Sequence, residues 1–285
     1  MQGLLILLML LGFAYAGCPG VSTEQVLKKV RDNFLGEIKE IRKIEGDFFQ
    51  VIVFRNERFY PVYTDCSLRY LIVGQMIDMK TGKDLSREAL NRTRSLLIRQ
   101  KEREIISVVG KKKFEAVVKK APGVVNLLSV INADSIPHEG LITFGNPYAS
   151  KVVYVVVDPM CPYCARLHSH IERIVSRRSD VQFKVLFYPL PFHRGAEKIS
   201  SAVVCSRDPA MLSIIFKAMG NRSAVERFSS MSCKEGDRIV KEHAKFSKQA
   251  GIKGTPAVIF LNRLKVSGAV PEKTLEMLID LLHEE

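Results

Sequence analysis

No second Cys-x-x-Cys accompanies the one at Cys161-Pro162-Tyr163-Cys164, and no His-x-x-x-His stands where it would complete a zinc site. That absence sets metal binding aside for the pair, and the remaining motifs ask for no metal and no cofactor. No charge-free stretch reaches a membrane span either. Residues 4–13 form an apolar segment well short of the roughly 20 residues a bilayer needs. They are followed by Ala14-Tyr15-Ala16, a small-x-small cleavage pattern, so residues 1–16 read as a secretory signal peptide. The usual cationic start is missing, since Met1-Gln2-Gly3 holds no Lys or Arg. Ala16-Gly17-Cys18 also has the form of a lipobox end, with Tyr15 where an aliphatic residue is expected, which leaves lipid anchoring at Cys18 as the minor alternative. Acidic residues are in deficit, 30 against 43 basic, and the net charge is +13. Residues 87–120 alone hold 11 basic and 4 acidic side chains, a net of +7. This is the pattern of a solvated helical surface, and an exported chain is a poor candidate for a nucleic-acid partner.

What is present is a redox motif in a telling place. Residues 151–157, Lys-Val-Val-Tyr-Val-Val-Val, are short and β-branched and read as a buried strand. After the cysteines, Leu167, Ile171, Ile174 and Val175 recur at helical spacing. Cys161 therefore sits near a helix N-terminus, where unpaired N–H groups and the helix dipole favour a thiolate. All six cysteines survive cleavage after Ala16. With 161 and 164 paired for chemistry, the other four allow three connectivities. Division by region favours Cys205–Cys233 and Cys18–Cys66, with Cys18 alternatively unpaired near the chain start. A 205–233 bridge closes about 28 residues and adds roughly 3–4 kcal/mol on the chain-entropy model.

Three regions follow the signal segment. Ser22 and Gln25 have capping-box spacing and lead into Val26, Leu27, Val30 and Phe34 at helical intervals. Strand-like stretches come next at 37–44, 48–55, 57–63 and 68–79, with turns at Asn56-Glu57 and Asp65-Cys66-Ser67. A helix with so small a sheet, up to residue 85, is expected to pair with a second copy through an exposed edge. Residues 86–135 read as a helical spacer, with Leu90, Leu96, Leu97, Ile105 and Ile106 as its apolar stripe and a break at Ala121-Pro122-Gly123. A polar passage, residues 132–150, leads to the strand before Cys161. The last region, 136–285, alternates strand and helix: a strand at 181–188 and helices at 195–205, 209–219 and 237–250. Thr255-Pro256 then precedes the apolar strand 257–261, where a proline must lie at the strand's start or edge. An amphipathic helix at 271–283 ends the chain. Strand, Cys-x-x-Cys, helix, strand, helices, Thr-Pro, strand, helix is a thioredoxin-like order.

Asp158-Pro-Met-Cys-Pro-Tyr-Cys164, Gly254-Thr-Pro-Ala-Val258 and the segment from Tyr63-Thr-Asp65 through Leu71-Ile-Val-Gly74 to Asp78 carry a resemblance. The chain is similar over nearly all its mature length to the bacterial periplasmic disulfide isomerase family, DsbC and its relative DsbG. The resemblance implies an α/β catalytic domain of thioredoxin-like fold with a helical insertion, a small α+β cystatin-like N-terminal dimerisation domain, and a helical linker. It also implies a V-shaped homodimer with two catalytic domains facing a cleft. The partners implied are misfolded or oxidised exported proteins and a DsbD-like membrane thiol reductase. Cys205 and Cys233 fall where the family has a second, structural disulfide. Three features depart from a single subfamily: a spacer read as longer than in DsbC, Pro162-Tyr163 as in DsbG, and Gly254 before Thr255 as in DsbC.

The chemistry distributes roles among these residues. Cys161, the more exposed of the pair, is expected to attack a substrate disulfide, and Cys164, one turn further in, to resolve the mixed disulfide. A pKa lowered by ~3 units from 8.5 raises the thiolate fraction at pH 7 about 30-fold. Lower intrinsic nucleophilicity nearly cancels that gain, so the benefit is a better leaving group and a more stable reduced form. Pro162, Tyr163, Thr255 and Pro256 are the expected substrate contacts, with Pro256, if cis, presenting the Thr255 backbone to an extended chain. Asp158 reads as a local cap of the active-site turn, or alternatively as a residue that tunes the cysteines, and His168 as a plain helix-surface histidine, or alternatively as a source of local positive field. Phe187, Tyr188 and Phe192 read as core or cleft lining. The activity expected is isomerase, or alternatively a DsbG-like reductase of sulfenylated cysteines with holdase character.

Overall fold

The structure, a computed structural model, describes residues 18, 20–44, 46–131, 136–261 and 263–283. The expected signal peptide, 1–16, lies outside the described residues. The chain divides into two compact units, the first ending at Gln100 and the second beginning at Lys101.

In the first unit, helix α1 (Thr23–Asn33) starts at a capping box: the Ser22 hydroxyl accepts from the Gln25 N–H, and the Gln25 side chain accepts from the Ser22 N–H. Its buried face, Val26, Leu27 and Val30, follows the helical period read from the sequence. Strands β1 (Glu37–Ile44), β2 (Phe48–Arg55), β3 (Arg58–Asp65) and β4 (Leu71–Val73) form an antiparallel sheet in sequential order. Asn56 and Glu57 both take positive φ, 48° and 63°, and make the two-residue turn between β2 and β3. Val51, Val53 and Val62 meet Val26 and Val30 in the core. On β2 and β3 the polar side chains are also inside: Gln50 donates to the Tyr63 hydroxyl, which is 2.5 Å from the buried Ser86 hydroxyl. The stretch 68–79, expected as one strand, pairs only at Leu71–Val73. Leu68 enters the left-handed region at φ 55°, and beyond Gly74 a lone bridge joins Ile77 to Asp84.

The expected continuous helix from Ser86 to Lys120 is two helices, α2 (Leu85–Val109) and α3 (Lys111–Lys120), parted at Gly110 with φ 81°. A backbone conformation that glycine adopts at little cost breaks the run. A 3₁₀ turn (Pro122–Leu127) and strand β5 (Leu128–Val130) follow. The segment from Lys101 onward is not a bare spacer. Ile105, Val109, Phe114, Val117 and Leu128 belong to the same core as Leu167 and Phe183. Most basic residues of this stretch are exposed, Arg103, Lys111, Lys112, Lys119 and Lys120 among them, which is why composition alone read it as surface.

The rest of the second unit runs β6 (Ile142–Gly145), β7 (Lys151–Val157), α4 (Pro162–Arg177), β8 (Val181–Phe187), α5 (Ala196–Ser206), α6 (Pro209–Lys217), α7 (Arg222–Ser229), α8 (Lys234–Gln249), β9 (Ala257–Phe260), β10 (Leu264–Ser267) and α9 (Glu272–His283). Its sheet has the order β5-β10-β9-β7-β8-β6, with β7 and β8 parallel and the other pairs antiparallel. Strand β7 is central and covered on both faces. Val153, Val155 and Val157 pack with Leu167, Ile171, Leu278 and Ile279 of α4 and α9, while Tyr154 and Val156 pack with Phe246 of α8. A strand buried on both sides reads as an unbroken apolar run, which is what the sequence shows. Strands β5, β6 and β10 are three or four residues long and carry too little pattern to be legible before folding. Helices α5 and α8 approach closely at Gly236, where an added Cβ would lie 2.5 Å from both Cys205 Sγ and the Ser201 carbonyl oxygen. The Cys205–Cys233 disulfide joins them, with a Cα separation of 6.2 Å. Cys18 is joined to Cys66 in the first unit, with Cα atoms 5.2 Å apart.

Candidate active site

Strand β7 delivers the chain to a tight turn. The Cys161 N–H donates to the Asp158 carbonyl at 3.1 Å, and Cys161 then serves as the N-cap of α4, with Pro162 in the first helical position. Proline suits that position because its missing N–H would be unpaired there anyway. Both thiols are free and both are covered: Cys161 is 4% exposed and Cys164 fully buried. The expected order of exposure is present, but the margin is narrow.

The two sulfurs have opposite electrostatics. The Cys161 pKa is lowered to about 5, the hydrogen bond from the Cys164 side chain being the largest cause. The N–H groups of Cys164 and Tyr163 and the side chain of Thr255 act in the same direction, against the cost of burial. Burial pushes the Cys164 thiol far up, with the bond to Cys161 adding to the rise and the Thr255 side chain and Asp158 N–H opposing it. One thiolate at the helix start, backed by a protonated thiol, is the charge distribution that thiol–disulfide exchange uses.

The Thr255–Pro256 peptide bond is cis. It brings the Thr255 carbonyl oxygen to 3.5 Å from Cys161 Sγ, across 94 residues of sequence. The Pro256 carbonyl accepts from the Gly268 N–H at 2.8 Å, tying this loop to β10. Tyr163 projects outward, 58% exposed, with the Arg166 guanidinium 5.5 Å from its ring centre. Beside the cysteines, Pro159, Met160 and Pro162 form one wall of an apolar groove of about 210 Å³, closed on the other side by Ile199, Met219 and Phe228 of the helical insertion.

Asp158 is more than a local cap. Its carboxylate is fully buried and accepts from Met160 N–H at 2.7 Å, Leu190 N–H at 2.7 Å and His193 Nδ1 at 2.9 Å. Leu190 and His193 went unnoticed in the sequence, and no spacing rule links positions 35 residues apart. His168, expected on the helix surface, is buried: its ring lies 4.7 Å from that of Phe144 and 5.0 Å from that of Phe216, and Nε2 is 2.8 Å from the Ser213 hydroxyl. Burial lowers its pKa, against the opposing pull of Glu172 at 3.5 Å, and so disfavours the charged form. Phe187 is core, Tyr188 half-buried, and Phe192 stands 73% exposed rather than lining a core.

Cys18, Asp47 and Cys66 place one ligand atom each within 4.8 Å of one another, but with both sulfurs in the Cys18–Cys66 disulfide they offer no thiolates to a metal.

Residues 146–283 match the family model of the thioredoxin-like domain. The chain is 23% identical over 262 residues to a probable thiol:disulfide interchange protein DsbC of Bordetella parapertussis, a match covering 92% of this chain and 75% of that one. To the thiol:disulfide interchange protein DsbC of Escherichia coli K12 it is 27% identical over 140 residues, 49% of this chain and 55% of the other. Among solved structures, the catalytic domain of Proteus mirabilis ScsC aligns with 21% identity, 60% of this chain, 98% of that one and a TM-score of 0.44. The second unit is thus of the thioredoxin-like class. Residues 146–283 are a thioredoxin-like domain, and with its DsbC-named relatives the chain is a thiol:disulfide interchange protein, an enzyme acting on disulfides. No helix among the described residues is long and apolar enough to cross a membrane.

Proposed function

We propose that the protein is a periplasmic disulfide isomerase that reshuffles non-native disulfides through Cys161 and Cys164. The observation that carries this reading is the Cys161 thiol at the start of α4, with its pKa drawn down to about 5 and the cis Thr255–Pro256 loop 3.5 Å away. Cys161 attacks a substrate disulfide and forms a mixed disulfide. Its low pKa makes it a good leaving group, so a substrate thiol can displace it once a better pairing is found. Pro162, Tyr163, Thr255 and Pro256 contact the extended substrate, with the Thr255 backbone laid beside the scissile sulfur. Cys205–Cys233 is structural and holds the helical insertion, and Cys18–Cys66 is a second bridge, in the N-terminal region.

The reading includes export by a signal peptide over residues 1–16 and three parts thereafter: a cystatin-like dimerisation domain over 17–85, a helical segment over 86–135 whose residues from Lys101 onward pack into the catalytic unit, and the catalytic domain over 136–285. The short edge strand β4, with Ile72 and Val73 nearly half exposed, supports pairing with a second copy. A DsbD-like membrane thiol reductase would keep the site reduced, and the substrates are misfolded or oxidised exported proteins. The Pro162-Tyr163 pair favours a second reading, a DsbG-like reductase of sulfenylated cysteines with holdase activity.

The test is recovery of activity from scrambled, fully oxidised ribonuclease with the mature protein and its Cys161→Ala variant. Recovery by the parent and none by the variant is expected. A folded parent that exchanges with glutathione yet recovers no ribonuclease overturns the isomerase reading in favour of the reductase one.

A further inference from the structure

We infer that His193 acts, through the Asp158 carboxylate, as a positioning residue for the resolving cysteine, and so sets how fast a mixed disulfide is released through Cys164. The inference rests on the reading of Cys161 as the attacking thiol. A carboxylate that is fully buried is costly unless it is paired and hydrogen-bonded. Asp158 meets that requirement with three donors from two segments. One carboxylate oxygen takes the Met160 N–H of the active-site loop. The other takes the Leu190 N–H and His193 Nδ1 from the loop after β8. A carboxylate oxygen that already takes the Leu190 N–H accepts again here, so Nδ1 carries the hydrogen and donates.

The backbone of the same residue faces the cysteines. Its N–H points at Cys164 Sγ at 3.4 Å, and its carbonyl accepts from the Cys161 N–H at 3.1 Å. Asp158 cannot shift without moving its amide off the Cys164 sulfur. His193, held by a turn of its own (its N–H to the Leu190 carbonyl at 3.0 Å, its carbonyl to the Ala196 N–H at 3.1 Å), fixes the carboxylate from outside the loop.

That amide matters in one step. For release, Cys164 gives up its proton and its thiolate attacks the Cys161 sulfur of the mixed disulfide. The Cys161–substrate bond breaks, the Cys161–Cys164 bond forms, and the electron pair leaves on the substrate sulfur, which takes up a proton. The substrate is reduced by two electrons and the pair is oxidised. Negative charge must build on a sulfur with no solvent around it, and the Asp158 N–H is the backbone donor aimed there. Outright loss of such a donor in an oxyanion hole costs about 10²–10³-fold in rate. A displaced donor to the softer sulfur should cost about tenfold. Attack by Cys161 does not use this amide and should be spared.

The experiment follows the reduced protein with a cystine-containing peptide, quenched by acid and resolved by mass spectrometry, for the parent, His193→Ala and His193→Asn. Formation of the Cys161 mixed disulfide should stay within about twofold, while its release in His193→Ala slows about tenfold and the adduct accumulates. Asparagine keeps a side-chain N–H near the place of Nδ1 and should restore release to within about twofold. Should His193→Ala not fold, His193→Leu fills the space without a donor and is expected to show the same slow release. Parent-like release in the folded donorless variant overturns the inference, as does a general loss of both rates that asparagine fails to restore. A parent that forms no adduct at Cys161 overturns instead the proposed function itself.

Discussion

Removing the Cys164 thiol tests the electrostatics of the site at their source. The hydrogen bond from Cys164 is the largest contribution drawing the Cys161 pKa down to about 5. A hydrogen bond to a charged group is worth about 1.5–3 kcal/mol, and about 1.4 kcal/mol corresponds to one pKa unit. Cys164→Ala should therefore raise the Cys161 midpoint by about one to two units, to between roughly 6 and 7. It should not return to 9, because the N–H groups of residues 163 and 164 still act on the sulfur. The assay is the rate of iodoacetamide alkylation between pH 3.5 and 9, clean in this variant because the other four cysteines are in disulfides. A midpoint unmoved from the parent value would show that the thiol donor contributes nothing. One that climbs to 9 would show the same of the helix start.

The same titration makes stability depend on pH. The folded Cys161 pKa lies below its unfolded value, so the reduced protein holds this contribution fully above about pH 9 and loses it as the pH falls towards 5. Between pH 5.5 and 7.5 the reduced form should gain about 2.7 kcal/mol relative to the oxidised form; denaturant titrations of both forms that differ equally at the two pH values would sink this. Replacing Cys205 and Cys233 by alanine removes a link across 28 residues and should cost about 3–4 kcal/mol, read as a lower midpoint in urea. Gly236→Ala drives a methyl into the Ser201 carbonyl and Cys205 Sγ, so α5 and α8 must separate, at a cost of about 1–3 kcal/mol in the same assay. A variant as stable as the parent would mean that the two helices have room to give.

How much of this was legible beforehand depended on the range of the interaction. The strand 151–157, the Cys-x-x-Cys behind it and the helix after it are neighbours in sequence, and hydrophobic period with one proline at the helix start defines them. The capping box at Ser22 and the turn at Asn56-Glu57 are local in the same way. Hydrophobic period says that a face is buried but not what covers it. Residues 105–128 therefore passed for spacer until they were found packed in the core with Leu167, and His168 passed for surface until Phe144 and Phe216 closed over it. Local pattern is enough to place two cysteines at the start of a helix behind a buried strand. Their surroundings come from distant parts of the chain: the Thr255 carbonyl from 94 residues away, and the Asp158 carboxylate shared with His193. Thr255 reaches Cys161 because the sheet sets β9 beside β7, and His193 reaches Asp158 because it sets β8 on the other side of β7. A thiol's pKa is set by the donors and the solvent around it, so it exists only once the chain has folded.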